Sequence, residues 1–476
     1  MIDEDLVRRA IDIALSQNVD YAEARIQIDE DESIYMRSGI IEAYGISISG
    51  GFSIRVLKNG AFGFGCTEKL DNESIKNAIM EAVKLANAQK KGEATLSEEK
   101  TYNDKYELKP EKDAFKVPLE EKVEILTEID KTIASLSNEV KIPFRNIGIT
   151  ISLTKKVYTN SEGTIIRSSV PRMMILSYYV LSHGQRTITR RLPMGGAIGW
   201  EGIKVWNPID KIKSDIEALK NVIMNAQILK TDVYDVILGP EVSGLATHES
   251  CGHPFELDRI MGREGAQAGE SYATVDLLGE RMANEVVTII DDPTLPNSYG
   301  YYLYDDEGVR ARPRYLIKKG IVHEFLMNRE YAAKINMKSN AAARASDFNR
   351  EPIIRMANTY IAPGDYEFEE LVRDIKHGIY IKTFGEWNID DRRYNQRYVG
   401  QEAYLIERGE IKAPVWRPIF EITTPKYYSS IDAVDKNVEF QPASCGKGDP
   451  GQLVPVFTGG PNVRLRNVRI LFGGEQ

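Results

Sequence analysis

A chain of 476 residues is too long for one ordinary hydrophobic core, so two or perhaps three domains are expected. With 42% hydrophobic and 28% charged residues it has the make-up of a soluble globular protein, and no apolar run is long enough to cross a bilayer. A formal charge of -9 argues against nucleic acid as the main partner, and three scattered cysteines (Cys66, Cys251, Cys445) exclude a disulfide framework and fit a reducing compartment.

The acidic start, Met1-Ile2-Asp3-Glu4-Asp5-Leu6, lacks the basic and apolar regions of a secretory signal, which predicts a cytoplasmic protein. Leu6, Val7, Ala10, Ile11, Ala14 and Leu15 then recur at helical spacing and predict a first helix. β-rich runs follow at 22–28, 33–37, 40–49, 52–58 and 61–67, with turns expected at Gly50-Gly51 and Asn59-Gly60. A second helix over 72–89 carries Ile75, Ile79, Ala82, Val83 and Ala86 on one face, so a meandering antiparallel sheet covered by helices is expected. Residues 90–118 are charged and aperiodic and read as a surface connection. A helix over 119–136, strands at 147–153, 155–160, 164–169 and 173–181, and a helix opened by Asn207-Pro208 complete an N-terminal domain, 1–232.

The character changes at Val233. A buried-looking strand over 233–238 meets a turn at Gly239-Pro240, and a helix from Glu241 runs into Thr247-His248-Glu249-Ser250-Cys251-Gly252-His253-Pro254. Further strands are expected at 283–291, 311–318, 320–326, 379–384, 401–407 and 409–422, with a short helical turn at 371–377. The fold class is therefore α+β: an N-terminal domain of antiparallel sheets covered by helices, and a β-rich C-terminal domain, 233–476, carrying the motif helix.

His248 and His253 with Glu249 after the first resemble the H-E-x-x-H pattern of zinc hydrolases with one residue too many. On a regular helix an i, i+5 pair diverges by roughly 140°. A π-bulge absorbs one extra residue and realigns the rings; Gly252 and Pro254 both disfavour ordinary helix here. The bland reading is a pair of capping or core histidines. A catalytic zinc site also needs a third protein ligand. Cys251 lies close in sequence but suits a small buried core residue; Glu256 and Asp258 follow His253; Cys445 lies in the glycine-rich stretch Ser444-Cys445-Gly446-Lys447-Gly448, where Lys447 could help ionise it. Spacing alone does not choose between Cys251 and Cys445. Tyr299-Gly300-Tyr301-Tyr302-Leu303-Tyr304 suits packing better than a peptide cleft, and Arg344, Arg350 and Arg355 suit solvated faces or salt bridges better than a substrate carboxylate site. His323 and His377 are not expected at a metal, and Gly63-Phe64-Gly65 and Gly459-Gly460 do not open helices as phosphate loops do.

His248-Glu249-x-x-x-His253, the strand ending Leu238-Gly239-Pro240 and the late Ser444-Cys445-Gly446-Lys447 stretch together resemble the TldD/PmbA family of metallopeptidases, on the TldD side. Asp291-Asp292-Pro293, Asp305-Asp306-Glu307-Gly308, Arg355-Met356-Ala357-Asn358-Thr359 and Gly400-Gln401-Glu402-Ala403 extend the resemblance over nearly the whole chain. The resemblance implies zinc held by His248, His253 and Cys445, with Glu249 as general base on zinc-bound water. It also implies unfolded peptides as substrates and a dimer enclosing a chamber, made either of like subunits or with a metal-lacking PmbA/TldE-type partner. Two alternatives are a non-catalytic peptide-binding or assembly subunit and a Cys445-dependent hydrolase.

Overall fold

The computed structural model describes residues 3–89, 92–264 and 269–472. Residues 90 and 91 of the predicted connection, the first two residues of the acidic start, and the ends of the two predicted domains at 1–2 and 473–476 lie outside the described residues.

The short runs read from the N-terminal sequence fuse into long strands. Tyr21–Arg37 pairs antiparallel with Ile40–Lys58, turning at Ser38 and Gly39, both at positive φ. Gly50 and Gly51 do not turn the chain as expected; they sit in mid-strand opposite Ile28 and Gln27. A Cβ on Gly51 would lie 2.6 Å from the Phe348 ring, so bare backbone there makes room for a contact from the C-terminal half. The hairpin at Asn59-Gly60 does form, leading into Ala61–Thr67. Likewise the predicted strands at 147–160 and 164–181 become Lys141–Asn160 and Ile165–His183.

Among the described residues, seven strands make this sheet. In order they are Ala61–Thr67, Ile40–Lys58, Tyr21–Arg37, Lys141–Asn160 and Ile165–His183, whose far edge is shared by two strands. One is the parallel strand Asn103–Glu107, inside the segment read as a plain connection. The other is Arg186–Gly196, antiparallel. Its inward positions include Arg190, neutralised by Asp215 and Glu241, so the apolar alternation that marks a strand is broken. Helices Glu4–Leu15 and Asn72–Ala88 cover one part of the sheet through Val7, Ala10, Ile79 and Ala82 against Ile26 and Ile54. Helices Leu119–Ser135 and Pro208–Asn225 cover the other through Leu126, Ile129, Ile216 and Leu219. Each inward row has helical spacing, and burying it drives the packing.

The C-terminal part is β-rich, with shorter strands than expected. The run 283–291 contributes only Ile289–Asp291, and 320–326 only Ile321–Val322. The run 409–422 divides into Glu410–Pro414 and Pro418–Thr423. The helix near 371–377 is Phe368–Arg373, and His377 opens a strand. Two sheets result. One runs from Ile321–Val322 to its far edge at Gln452–Gly460 and Glu439–Lys447. The other holds Asp232–Leu238 between Val463–Phe472 and His377–Ile381.

Helix Pro240–Thr247 leaves the end of Asp232–Leu238 and packs across the first of these sheets. The approach is close enough that a Cβ on Gly244 would sit 2.4 Å from the Gly459 nitrogen. Gly459 and Gly460 are thus the seat of the motif helix. The end of the strand, Gly239 and most of the helix are buried, which gives the residues that follow a rigid base.

Candidate metal centre

The helix changes pitch at the motif. Residues His248–Gly252 form a π-helical turn in which the His253 amide donates to the His248 carbonyl five residues back. The turn places the two imidazoles with ring centroids 5.1 Å apart. Its cause differs from the backbone argument made from sequence. Gly252 is right-handed at φ -56°, and His253 keeps helical angles despite Pro254. What Gly252 supplies is space: a Cβ there would meet the Met356 sulfur at 1.9 Å.

Cys445 reaches the pair from a strand rather than a loop. It lies in Glu439–Lys447 opposite Val454, and the turn comes later, at Gly448. Its Sγ is 3.3 Å from His253 Nε2. One ligand atom from each of His248, His253 and Cys445 falls within 4.8 Å of the others, and all three side chains are buried. Arg355 clamps this hairpin, donating to the carbonyls of Cys445 and Gln452. Cys251 points into the hydrophobic core, where burial and then Asp291 push its thiol well above the usual range.

Glu256 and Asp258 form a second layer. Glu256 Oε2 lies 3.1 Å from His253 Nδ1, which leaves Nε2 facing Cys445. Lys447 sits 3.2 Å from Glu256 and 2.7 Å from Asp258 and donates to the Ile354 carbonyl. Lys447 is therefore committed to carboxylates and does not ionise the thiol. Burial pushes Cys445 up, but His253, Arg355 and His248 outweigh it and hold the thiol well below its ordinary value. Burial also opposes the charge on His253, yet Cys445 and Glu256 raise that ring to about 9.

This donor set fits a zinc-type ion. Two imidazoles and a thiolate leave a fourth position open, and such an ion replaces the proton that Cys445 and His253 otherwise share. His248 Nδ1 is buried and has no hydrogen-bond partner among the described atoms, as fits a ring nitrogen whose lone pair would be taken up by a metal ion.

Glu249 lines the same cleft, of about 580 Å³, and its Oε2 accepts from Arg393 Nη1 at 2.5 Å. Arg393 was not visible as a site residue in the sequence. It sits in the turn between Phe384–Ile389 and Asn395–Gly400 at φ 62°, with its carbonyl held by the Thr424 hydroxyl. Only an Asp-Asp-Arg-Arg turn marks the position, and nothing local ties it to a residue 144 positions away. Three strands with an edge unpaired among the described residues border the cleft: Arg186–Gly196, Phe384–Ile389 and Glu439–Lys447.

The remaining candidates lie elsewhere. His323 and His377 are exposed. Arg344 and Arg355 are buried and, among the described residues, make none of the salt bridges expected of them.

Three family models match the chain: the PmbA/TldA metallopeptidase domain 1 over residues 22–86, the central domain over 112–225 and the C-terminal domain over 231–471. The chain belongs to the PmbA/TldD family of metallopeptidases. Metalloprotease MJ0996 of Methanocaldococcus jannaschii is 31% identical over 449 residues, covering 94% of this chain and 96% of that protein. A zinc metalloprotease TldD homolog of Saccharolobus solfataricus is 28% identical, covering 94% and 93%. The crystal structure of TldE from Thermococcus kodakarensis superposes with a TM-score of 0.78 at 19% identity, over 98% of this chain and 99% of that one. As a member of this PmbA/TldD family, the chain is a metallopeptidase.

Proposed function

We propose that this chain is the metal-bearing, TldD-type subunit of a peptidase that cleaves unfolded peptides, with zinc held by His248, His253 and Cys445. The convergence of those three side chains beside Glu249 in one cleft is the observation that carries the reading. When bound, zinc supplies Lewis-acid polarisation of the scissile carbonyl and lowers the pKa of water.

The protein's own groups do the rest. Glu249 takes the proton of the attacking water and passes it to the leaving amine. Arg393 fixes the Glu249 carboxylate so that one oxygen stays available for that transfer. Glu256 sets the His253 tautomer and ring angle. An extended peptide adds its backbone to one of the unpaired strand edges, which gives affinity with little side-chain selectivity. Two subunits, either like copies or one with a metal-lacking PmbA/TldE-type partner, enclose the cleft as a chamber. The fold shared with TldE supports that pairing. No described helix is long and apolar enough to cross a membrane, in keeping with a cytoplasmic site of action.

A second reading has its own support. A depressed Cys445 thiol 3.3 Å from an imidazole is also the pairing of a cysteine hydrolase. Metal analysis with matched peptidase assays separates the two. The metallopeptidase reading expects about one zinc per chain, loss of zinc in Cys445→Ala, retention in Cys251→Ala, and an inactive Glu249→Gln that still binds zinc. Full activity after chelation would establish the cysteine mechanism. Unchanged activity in Glu249→Gln would remove Glu249 from the mechanism and support a subunit that only binds or assembles.

A further inference from the structure

Two sequence features that the peptidase site does not use, Arg344 and the tyrosine run at 299–304, meet at a second cavity. It holds about 100 Å³, room for about three waters at ~30 Å³ each. It lies between the N-terminal sheet and the C-terminal part, behind the hairpin that carries Cys445. Half-buried Thr154, Ser168 and Ser346 bring hydroxyls to it.

The charge around this cavity is not balanced. Elsewhere, buried Arg55, Arg190, Arg314, Arg329 and Arg393 each touch a carboxylate, while Arg355 is held by two carbonyls of the Cys445 hairpin. Arg344 is just as buried, yet among the described residues it makes no ion pair. It donates to the carbonyls of Met356 at 2.6 Å and Pro455 at 2.9 Å and lies over the Tyr302 ring. Arg172, half-buried, also makes no ion pair among the described residues and donates to the carbonyls of Tyr299 and Tyr301. Both line the cavity.

Its two carboxylates are taken. Asp306 holds Lys156 at 2.8 Å and the Ala345 amide, and Asp305 accepts from the amides of Glu307, Val309 and Ala343. Burial lowers Arg344 to about 10; Tyr302 and, from a distance, Asp306 oppose this, and Arg172 and Arg355 add to it. A buried cation without counter-charge is costly, and a guanidinium fork matches the oxygens of an oxyanion.

We propose that this cavity binds one small oxyanion, a phosphate or a carboxylate group, between the guanidiniums of Arg344 and Arg172. The bound group supplies the direct ionic partner that neither guanidinium has among the described residues. Through Arg344 it also braces Pro455, which pairs with Ser444 beside Cys445. The site does not depend on the peptidase reading.

Calorimetric titration of the full-length, zinc-loaded protein with sodium phosphate, and separately with sodium acetate, tests it against chloride of matched ionic strength. One of the two is expected to bind once per chain and to raise the thermal midpoint. Tighter phosphate assigns a phosphate group, and tighter acetate a carboxylate. Arg172→Gln is expected to weaken binding about tenfold. Ser346→Asp, which sets a carboxylate at the rim and leaves the Arg344 contacts intact, is expected to abolish it. Both changes fall at half-buried positions, and circular dichroism checks that each variant is folded. No binding of either anion above chloride would overturn the proposal. Binding at wild-type strength in both folded variants would do the same, because it would place the anion elsewhere, at the metal for instance.

Discussion

At the scale of single residues, the site separates into groups that touch the chemistry and groups that hold them. Glu249→Gln removes the proposed general base, a role that contributes about 10²- to 10⁴-fold, and kcat should fall by that order with zinc content unchanged. Arg393 acts through Glu249. Arg393→Ala should lower kcat by about tenfold or more with KM little altered, and Arg393→Lys should recover part of the loss, both read from steady-state kinetics on a reporter peptide. Glu256 supports His253 from behind. Glu256→Gln should weaken zinc binding by about 10- to 100-fold in competition with a chromogenic chelator. His248, Glu249 and His253 could be named from the sequence, because their types and spacing carry chemistry by themselves, whereas Cys445 was named as a ligand only through the family resemblance. Arg393 and Glu256 could not be assigned their roles that way. One is an arginine in a polar turn, the other an acid after a proline, and only the folded contacts distinguish them from solvated charges.

At the scale of the element, the π-helical turn is the feature on which the geometry depends. An i, i+5 histidine pair on an α-helix points two ways, so the expectation of an inserted residue came from the spacing alone. The reason it is stable did not. Gly252 is required by Met356, whose sulfur occupies the place of a side chain. Gly252→Ala should therefore cost about 1–3 kcal/mol by overpacking, and should lose zinc before it loses fold. Chemical denaturation and metal analysis on the same sample would show this; a variant with normal stability and full zinc would refute the packing argument. Helices were legible from their apolar stripes because that period survives in any context. Strand lengths were less so. Gly50-Gly51 looks like a turn and lies in a strand, and Arg190 hides a strand behind charges that its neighbours neutralise.

At the scale of the whole molecule, the two halves are joined by ion pairs with at least one buried partner. Arg55 bridges Glu23 and Glu307, Arg329 reaches Glu162, and Asp306 receives Lys156 and, at 3.6 Å, Arg25. Burial opposes the charge on Asp306, but Lys156 and Arg25 hold its carboxyl below the ordinary 3.8. A carboxyl lowered on folding contributes stability above its unfolded pKa, and that contribution is lost as pH falls through the folded value. Asp306→Asn should therefore destabilise the protein by about 3 kcal/mol near neutral pH, as expected for breaking a buried pair. The gap from wild type should begin to narrow below about pH 4, where the unfolded-state carboxyl protonates, and close once the native carboxyl protonates at lower pH. Urea melts across pH would measure it, and a gap that does not change with pH would refute the linkage.

By itself the sequence determined what depends on residue type and short spacing: an α+β chain, its helices, a metal motif with an extra residue, and a resemblance to one family of metallopeptidases. Tertiary structure decided which cysteine joins the histidines. Cys251 and Cys445 are alike as thiols, and only the strand that carries Cys445 beside His253 while Cys251 turns into the core separates them. It also decided which arginines hold carboxylates and which face a cavity without one. Both outcomes rest on contacts between segments far apart in the chain, where distance in space is set by packing and leaves no trace in local pattern.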